Sequence, residues 1–217
     1  MAANELRVTV LAFGLLVAIS LPPAWAAGER ELELVMTRNP DLENGEVLYR
    51  TCSACHGPNG EGVSDGTVPA LAGQPFSVLA RQIVNFRAGT RSDERMVHFT
   101  DRKHLAFSQP IADVAGYISK LKRPAGKTVP PQPNAERGAM VYVRTCERCH
   151  GPVAEGDENM VMPRLASQHY EYLVKQLRDA AEGRRPDLAA AHEGMSRKLT
   201  PDEMQAVAAW LASLPAD

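Results

Sequence analysis

Cys52-Ser-Ala-Cys55-His56 and Cys146-Glu-Arg-Cys149-His150 hold every cysteine of the 217-residue chain. Both stretches read Cys-x-x-Cys-His, and they lie 94 residues apart. The formal net charge of the chain is −2. This charge excludes a generally basic nucleic-acid binder, because Lys and Arg are not in excess over Asp and Glu to neutralise phosphates. We therefore expect no nucleic-acid partner.

The Cys-x-x-Cys-His pattern is the signature of covalent haem attachment. Two thiols three positions apart on a helical turn can each bond one vinyl group of the same haem, and the adjacent histidine then binds the iron as its proximal ligand. The pattern occurs twice, so it predicts two covalently bound haem c groups. The predicted attachment and ligand residues are Cys52, Cys55, His56, Cys146, Cys149 and His150.

Three other uses of paired cysteines fit the sequence less well. A thioredoxin-like redox pair belongs to a strand–helix–strand context that this sequence lacks. A zinc site built from both pairs would leave the histidine after each pair unexplained, and the pairs fall in separate halves of the chain. A disulfide within each pair would close a very short ring and would stabilise the fold little.

The two motifs belong to an internal duplication. With the same shift of 94 residues, Pro69 matches Pro163 and Gln74 matches Gln168. Between the copies, residues 123–133 contain four prolines and one glycine, a composition typical of a semi-rigid connector. The predicted units are a first domain over residues 40–122, this linker over 123–133, and a second domain over 134–217.

Apolar residues in both copies recur at three- and four-residue spacing, which predicts helices. No run shows the two-residue alternation of a strand, so we predict an all-α fold. The predicted helices are Gly45–Thr51, Phe76–Arg87 and Pro110–Lys122 in the first copy and Gly138–Thr145, Tyr170–Glu182 and Pro201–Leu214 in the second.

Residues 1–26 have the three parts of a secretory signal peptide. Arg7 precedes an apolar run over residues 8–21, and Ala24-Trp25-Ala26 forms a small-x-small cleavage site. Fourteen helical residues at about 1.5 Å each cannot cross a hydrocarbon core of roughly 30 Å. The sequence therefore predicts export to the periplasm and a mature protein without a membrane span, which leaves peripheral association with a membrane open.

With these motifs the chain resembles the dihaem cytochromes of the cytochrome c4 type over Leu42–Leu214. Both copies carry the family's Pro-x-Leu-Ala-(Gly/Ser)-Gln motif after the haem motif, and both close with an amphipathic helix. The resemblance implies two tandem class I cytochrome c domains, each wrapped around its haem. In this family the proline orients the proximal histidine through its carbonyl, which implies that Pro69 serves His56 and Pro163 serves His150.

The resemblance leaves the distal iron ligand open in each copy. The family usually places Met seven residues before the leucine that introduces the last helix, but here these positions hold His98 and His192. Equivalent positions in duplicated domains favour the histidines, whereas the family's usual ligand favours the nearby Met96 and Met195. The candidates are thus His98 or Met96 in the first domain and His192 or Met195 in the second. The other two histidines are predicted to lie on the surface: His104 and His169.

The function that these expectations favour is that of an exported electron carrier rather than an enzyme. Its partners would be a redox protein that donates electrons and another that accepts them. One alternative is the haem subunit of a larger oxidoreductase, for example a sulfide- or sulfite-oxidising complex. A dihaem peroxidase or thiosulfate dehydrogenase would need one iron with an open position, and the near-symmetry of the two copies argues against that.

Overall fold

Helices form the framework of the chain. The computed structural model describes residues 24–123, 134–192 and 198–216. Across these ranges no strand is present, and a single isolated bridge joins Asp157 and Met162. The all-α prediction is confirmed. The helices are α1 (Ala24–Met36), α2 (Leu42–His56), α3 (Phe76–Ala88), α4 (Glu94–Phe99), α5 (Ser108–Lys120), α6 (Ala135–Thr145), α7 (Glu147–His150), α8 (Tyr170–Ala181), α9 (Pro186–His192) and α10 (Pro201–Ser213).

Every helix predicted from the sequence is present, with ends that differ by a few residues. Among the helices of the described residues, α1, α4, α7 and α9 were not predicted. The last three have only six, four and seven residues, too few to show a helical period. The first begins inside the predicted signal peptide and was not considered as part of the fold. Within the described part of the chain, no helix combines the length and the apolar character needed to span a membrane.

In each copy the helix before the haem motif crosses the closing helix at backbone contact. A Cβ atom on Gly45 of α2 would lie 2.2 Å from the carbonyl oxygen of Asp113 in α5. A Cβ atom on Gly138 of α6 would lie 2.0 Å from the carbonyl oxygen of Ala206 in α10. Only glycine permits this approach, so the same packing device builds both copies.

An aromatic pair lies beside each of these crossings. The rings of Tyr49 and Tyr117 have centroids 5.5 Å apart, and those of Tyr142 and Trp210 are 4.6 Å apart. Each tyrosine hydroxyl donates a hydrogen bond to the carbonyl of the glycine after its haem motif. These hydrogen bonds connect the helix crossing to the end of the haem motif in each copy.

The two copies differ where the helix meets the haem motif. Three positions separate Tyr49 from Cys52, but four separate Tyr142 from Cys146. The first copy therefore has one continuous helix, α2, through His56, whereas the second is divided into α6 and α7 around Cys146. The break absorbs the additional residue and keeps both the tyrosine and the histidine in equivalent places.

Helix α1 packs on the first copy. Its Leu32 and Val35 are buried in the same core as α3 and α5. The first structural unit thus extends in front of residue 40, where the predicted domain begins. The predicted cleavage after Ala26 falls within α1, and the predicted signal residues 1–23 lie outside the described part of the chain.

The two copies meet in an interface with approximate two-fold symmetry. Arg91 donates hydrogen bonds to Gln82 Oε1 at 2.6 Å and to Gln176 Oε1 at 3.5 Å. The equivalent Arg185 donates to Gln176 Oε1 and to Gln82 Oε1, the latter at 3.2 Å. Each arginine thus bonds to the glutamine of its own copy and to that of the other. Residues 124–133 of the predicted linker lie outside the described residues.

A buried carboxylate completes this interface. Asp187 forms an ion pair with Arg185 at 2.7 Å, and both side chains are less than a tenth exposed. Asp187 also accepts a hydrogen bond from Asn85 of the other copy at 3.2 Å. Burial raises the pKa of Asp187, but the hydrogen bonds and charge of Arg185 outweigh it and hold this pKa below its ordinary value.

We predict that Asp187→Asn destabilises the haem-loaded protein at neutral pH and flattens its response to acid. Because the folded-state pKa of Asp187 is depressed, its stabilisation is complete above the unfolded pKa of about 4. It is lost as the pH falls through the folded-state value. The free energy of unfolding should fall by about 2 kcal/mol at pH 7 and change less below about pH 4. Denaturant titrations at several pH values measure both quantities.

The matched control is Glu46→Gln, which removes an exposed carboxylate from α2. It should leave both the free energy of unfolding at pH 7 and the acid response close to those of the unaltered protein. An acid response of Asp187→Asn that is as steep as that of the control would contradict the role assigned to Asp187.

Candidate functional site

Each Cys-x-x-Cys-His motif occupies the last helical turn before a loop. In the first copy this turn ends α2, and in the second it comprises Cys146 and α7. In both copies the first cysteine is half-buried and the second is exposed, and all four cysteines are free of disulfides. Each copy therefore presents two thiols and one histidine on a single turn, as covalent haem attachment requires.

The motif histidines are buried and oriented by a proline carbonyl. His56 and His150 are about 5% exposed. Nδ1 of His56 lies 3.0 Å from the carbonyl oxygen of Pro69, and Nδ1 of His150 lies 2.9 Å from that of Pro163. The structure thus places each proline against the histidine for which sequence analysis assigned it. With Nδ1 donating to the carbonyl, Nε2 carries the free lone pair that a metal needs.

The electrostatics of the histidines suit metal binding. Burial lowers the pKa of His56 and of His150, and this effect exceeds the opposite effect of the proline carbonyls. The nearby His192 lowers the pKa of His150 further. Both rings are therefore neutral at pH 7, which is the form that binds iron.

The glycine after each histidine turns the chain away from the motif. Gly57 has a φ angle of 79° and Gly151 one of 83°, in the region that favours glycine. The carbonyl of His56 then accepts a hydrogen bond from the Gly62 amide at 2.8 Å. This turn leads the chain back toward the proline that orients the histidine, so the motif and its proline form one closed loop.

The thiols do not have the properties of a redox pair. Burial raises the pKa of the Cys52 thiol to about 11 and raises that of Cys146 as well. A thioredoxin-like pair needs a lowered pKa, because the thiolate is the reactive species. Nor do three or more His, Cys, Asp or Glu side chains gather into a metal cluster anywhere in the described ranges. The raised thiol pKa values argue against the redox-pair alternative.

In the second copy a second histidine faces the first. His192 ends α9, and the centroids of its ring and that of His150 are 6.2 Å apart, with planes 27° apart. Nδ1 of His192 lies 3.1 Å from the carbonyl oxygen of Leu188, so its Nε2 is also available to a metal. The competing candidate Met195 lies outside the described residues.

The first copy is arranged differently around its distal candidates. Met96 and His98 both lie on α4, but Met96 is half-buried and His98 is exposed. The ring of His98 packs edge-on against Phe99 and His104, with centroids 5.0 and 4.8 Å apart. His98 thus occupies a surface cluster of rings, in contrast to the inward-facing His192.

The remaining two histidines differ in their surroundings. His104 is exposed and pairs with Asp101 at 2.9 Å, in agreement with its predicted surface position. The surface prediction for His169 is wrong. His169 is half-buried between the copies, where its Nε2 lies 2.8 Å from the carbonyl oxygen of Glu61. Only the packing of one copy on the other buries it, and helical periodicity within a copy carries no information on that packing.

Two glutamines at equivalent positions join the loop that contains Pro69 to the loop that contains Pro163. Gln168 accepts from the amide of Ala70 at 3.0 Å and donates to its carbonyl at 2.9 Å. Gln74 accepts from the amide of Arg164 at 3.1 Å and donates to its carbonyl at 2.7 Å. Ala70 and Arg164 directly follow the prolines that orient the histidines. Sequence analysis found these glutamines as repeated residues but gave them no role.

The chain matches a known family model twice. The cytochrome c family model covers residues 42–122 and 135–215. These two matches contain the two Cys-x-x-Cys-His motifs, and together they account for most of the chain.

Relatives match across both copies. The cytochrome c4 of Azotobacter vinelandii is 29% identical over 190 residues, which are 80% of this chain and 89% of that protein. The thiosulfate dehydrogenase electron acceptor of Thiomonas intermedia is 36% identical over 177 residues, 76% of this chain and 79% of that protein. The crystal structure of reduced recombinant cytochrome c4 from Pseudomonas stutzeri superposes with a TM-score of 0.70 at 27% identity. That match covers 81% of this chain and all of the other.

Proposed function

The chain belongs to the cytochrome c family, and we propose that this member is cleaved after Ala26, exported to the periplasm and used there as an electron shuttle. As a dihaem c-type cytochrome it carries two covalently bound haem c groups and transfers electrons. The observation that carries the proposal is the repeated arrangement of a buried histidine, a proline carbonyl and two free thiols in both copies.

The residues of both copies fit haem c. Haem c supplies an iron that exchanges one electron between the ferric and ferrous states. The cysteines would hold the group covalently, the histidine would bind its iron through Nε2, and the proline carbonyl would fix the orientation of that ring. The residues proposed for these roles are Cys52, Cys55, His56 and Pro69 in the first copy and Cys146, Cys149, His150 and Pro163 in the second.

For the second copy we assign His192 as the distal ligand. The ring of His192 is parallel to that of His150 within 27°, and the 6.2 Å between centroids leaves room for one metal ion bound by a nitrogen of each ring. The bond between its Nδ1 and the Leu188 carbonyl supports the same assignment, since a fixed tautomer is typical of a ligating histidine.

For the first copy we assign Met96 as the distal ligand. Met96 is the more buried of the two candidates, whereas His98 is exposed and packs against Phe99 and His104. A thioether ligand raises the reduction potential relative to a second imidazole. The haem of the first copy would then have the higher potential, and an electron taken up by the second copy would pass to the first.

Ligands on both faces of each iron favour a carrier over an enzyme. With His150 and His192 on one iron and His56 and Met96 on the other, neither iron has a position for a substrate. The glutamine pair that joins the proline loops holds the two sites in one body, which supports electron exchange between them. The proposed partners are therefore redox proteins that deliver and remove electrons.

A second candidate function is that of a dedicated acceptor for an oxidising enzyme. It is favoured by the 36% identity with the thiosulfate dehydrogenase electron acceptor of Thiomonas intermedia, which exceeds the 29% identity with the cytochrome c4 of Azotobacter vinelandii. In this case the donor would be a thiosulfate dehydrogenase, and the chain would form the electron-transfer part of a larger oxidoreductase.

We predict that absorption spectra of the oxidised protein distinguish the distal ligands. Sulfur bound to ferric haem gives a weak long-wavelength charge-transfer band, so the unaltered protein should show this band from one haem. Met96→Ala should abolish it, because the only proposed thioether ligand is gone. The matched control His98→Ala should retain it, and so should His192→Ala, which opens only the second site. Loss of the band in His98→Ala, or its absence from the unaltered protein, would contradict the assignment of Met96.

We predict that the oxidised protein accepts two electrons per chain from a thiosulfate dehydrogenase supplied with thiosulfate, and none from thiosulfate alone. Stopped-flow absorbance of the haems measures the reduction, with dehydrogenase and no thiosulfate as the control. Failure of this donor together with rapid reduction by other periplasmic donors would eliminate the second candidate and leave the general shuttle. Oxidation of thiosulfate by the chain alone would contradict the carrier function.

A further inference from the structure

A buried ion pair links α1 to the end of α3. Nη1 of Arg87 lies 2.6 Å from Oε1 of Glu31, and the two side chains are only 6% and 13% exposed. Glu31 belongs to α1 and Arg87 to the last turn of α3. Such a pair is retained only where its geometry is good and its other hydrogen bonds are made, so the remaining donors of Arg87 indicate what the pair supports.

Those donors hold the segment that follows α4. Nε of Arg87 donates to the carbonyl of Thr100 at 2.8 Å, and Nη2 donates to the carbonyl of Leu105. Thr100 directly follows α4 and Leu105 closes the loop before α5, so a single guanidinium fixes both ends of residues 100–105. Glu31 contacts the same loop directly, through Arg102 at 3.4 Å.

Helix α4 depends on this support because it has little packing of its own. It has six residues and none of them is buried. Asp93 caps its first turn by accepting from the amides of Arg95 and Met96. At its other end, the amide and hydroxyl of Thr100 donate to the carbonyl of Met96. Thr100 therefore connects the two residues: it donates to the carbonyl of Met96, and its own carbonyl accepts from Arg87.

The second copy lacks this arrangement. Ala181 stands at the repeat position of Arg87. Its neighbour Asp179 is instead paired with Lys175 and Arg184, and both of these partners are more than half exposed. Among the described residues no helix packs on the second copy as α1 packs on the first. The support is thus a feature of one haem site and does not follow from the duplication.

We propose that Glu31 and Arg87 are positioning residues that hold the distal ligand segment of the first haem, so that the N-terminal helix controls how firmly that iron keeps its distal ligand. This inference rests on the proposed function, since α4 must supply the distal ligand. It holds whichever side chain of α4 binds the iron. Removal of either charge leaves its partner buried and unpaired, and the loop over residues 100–105 then opens more often.

The experiment measures how fast cyanide replaces the distal ligands of the oxidised, haem-loaded protein. Cyanide can bind only when the distal side chain leaves the iron, so its rate reports opening of the distal segment. Glu31→Gln and Arg87→Gln should each accelerate binding at one haem by roughly tenfold, as expected for a lost hydrogen bond to a charged group, and leave the other haem unchanged. The midpoint potential of the same haem should shift while that of the second stays constant.

The matched control is Arg184→Gln, which removes an exposed arginine of the second copy that is paired with Asp179. It should alter neither rate. His192→Ala shows which kinetic phase of cyanide binding belongs to which haem. It removes the ligand proposed for the second haem, so the slow binding at the first haem can be followed alone. Glu31→Gln is the milder of the two variants, so the test stands even where Arg87→Gln fails to fold.

Two results would overturn the proposal. The first is equal cyanide rates in Glu31→Gln, Arg184→Gln and the unaltered protein. The second is an equal acceleration at both haems, which would indicate general destabilisation rather than positioning. Neither result affects the proposed function, which fails independently when the unaltered protein lacks haem, or when variants of α4 leave the absorption spectra of both haems unchanged.

Discussion

The hydrogen bond between a histidine ring and a proline carbonyl thirteen residues later is the constraint on which both sites depend. It occupies Nδ1 of His56 and of His150 at 3.0 and 2.9 Å, so each ring is held in one tautomer whose Nε2 lone pair is free to bind a metal. The glycine turn closes the loop that makes this bond possible. Burial keeps each ring neutral, so the local fold and the metal chemistry require the same geometry.

The interface extends this constraint from one copy to the other. Gln168 and Gln74 form hydrogen bonds with the residue that follows the proline of the other copy. Arg91 and Arg185 repeat this two-fold pattern by donating to the glutamines of α8 and α3. The distal sides depart from this symmetry, because α1 and Arg87 support only the first copy and a histidine faces the motif only in the second. Equivalent proximal sides and unlike distal sides would allow the two haems to differ in reduction potential.

The motif spacing predicted the histidine, the two thiols and the proline of each site, because two thiols and a histidine on one turn have few other uses, and the repeat predicted two domains of the same kind. The distal half was not predictable to the same degree. His98 and His192 are equivalent in the sequence, yet one lies in a surface ring cluster and the other faces His150. That difference depends on packing of short helices, which have no period to detect. Helix α1 was missed because it begins inside the predicted signal peptide, and its packing on the first copy depends on contacts with residues distant in the sequence.

The central claim is that each copy binds its own haem covalently through its own cysteine pair. Intact-mass spectrometry of the denatured protein, after export from cells that attach haem to cytochromes c, tests this claim most directly. We expect the mass of a polypeptide that begins at Ala27 with two haem groups attached. A mass with one haem or none would contradict it.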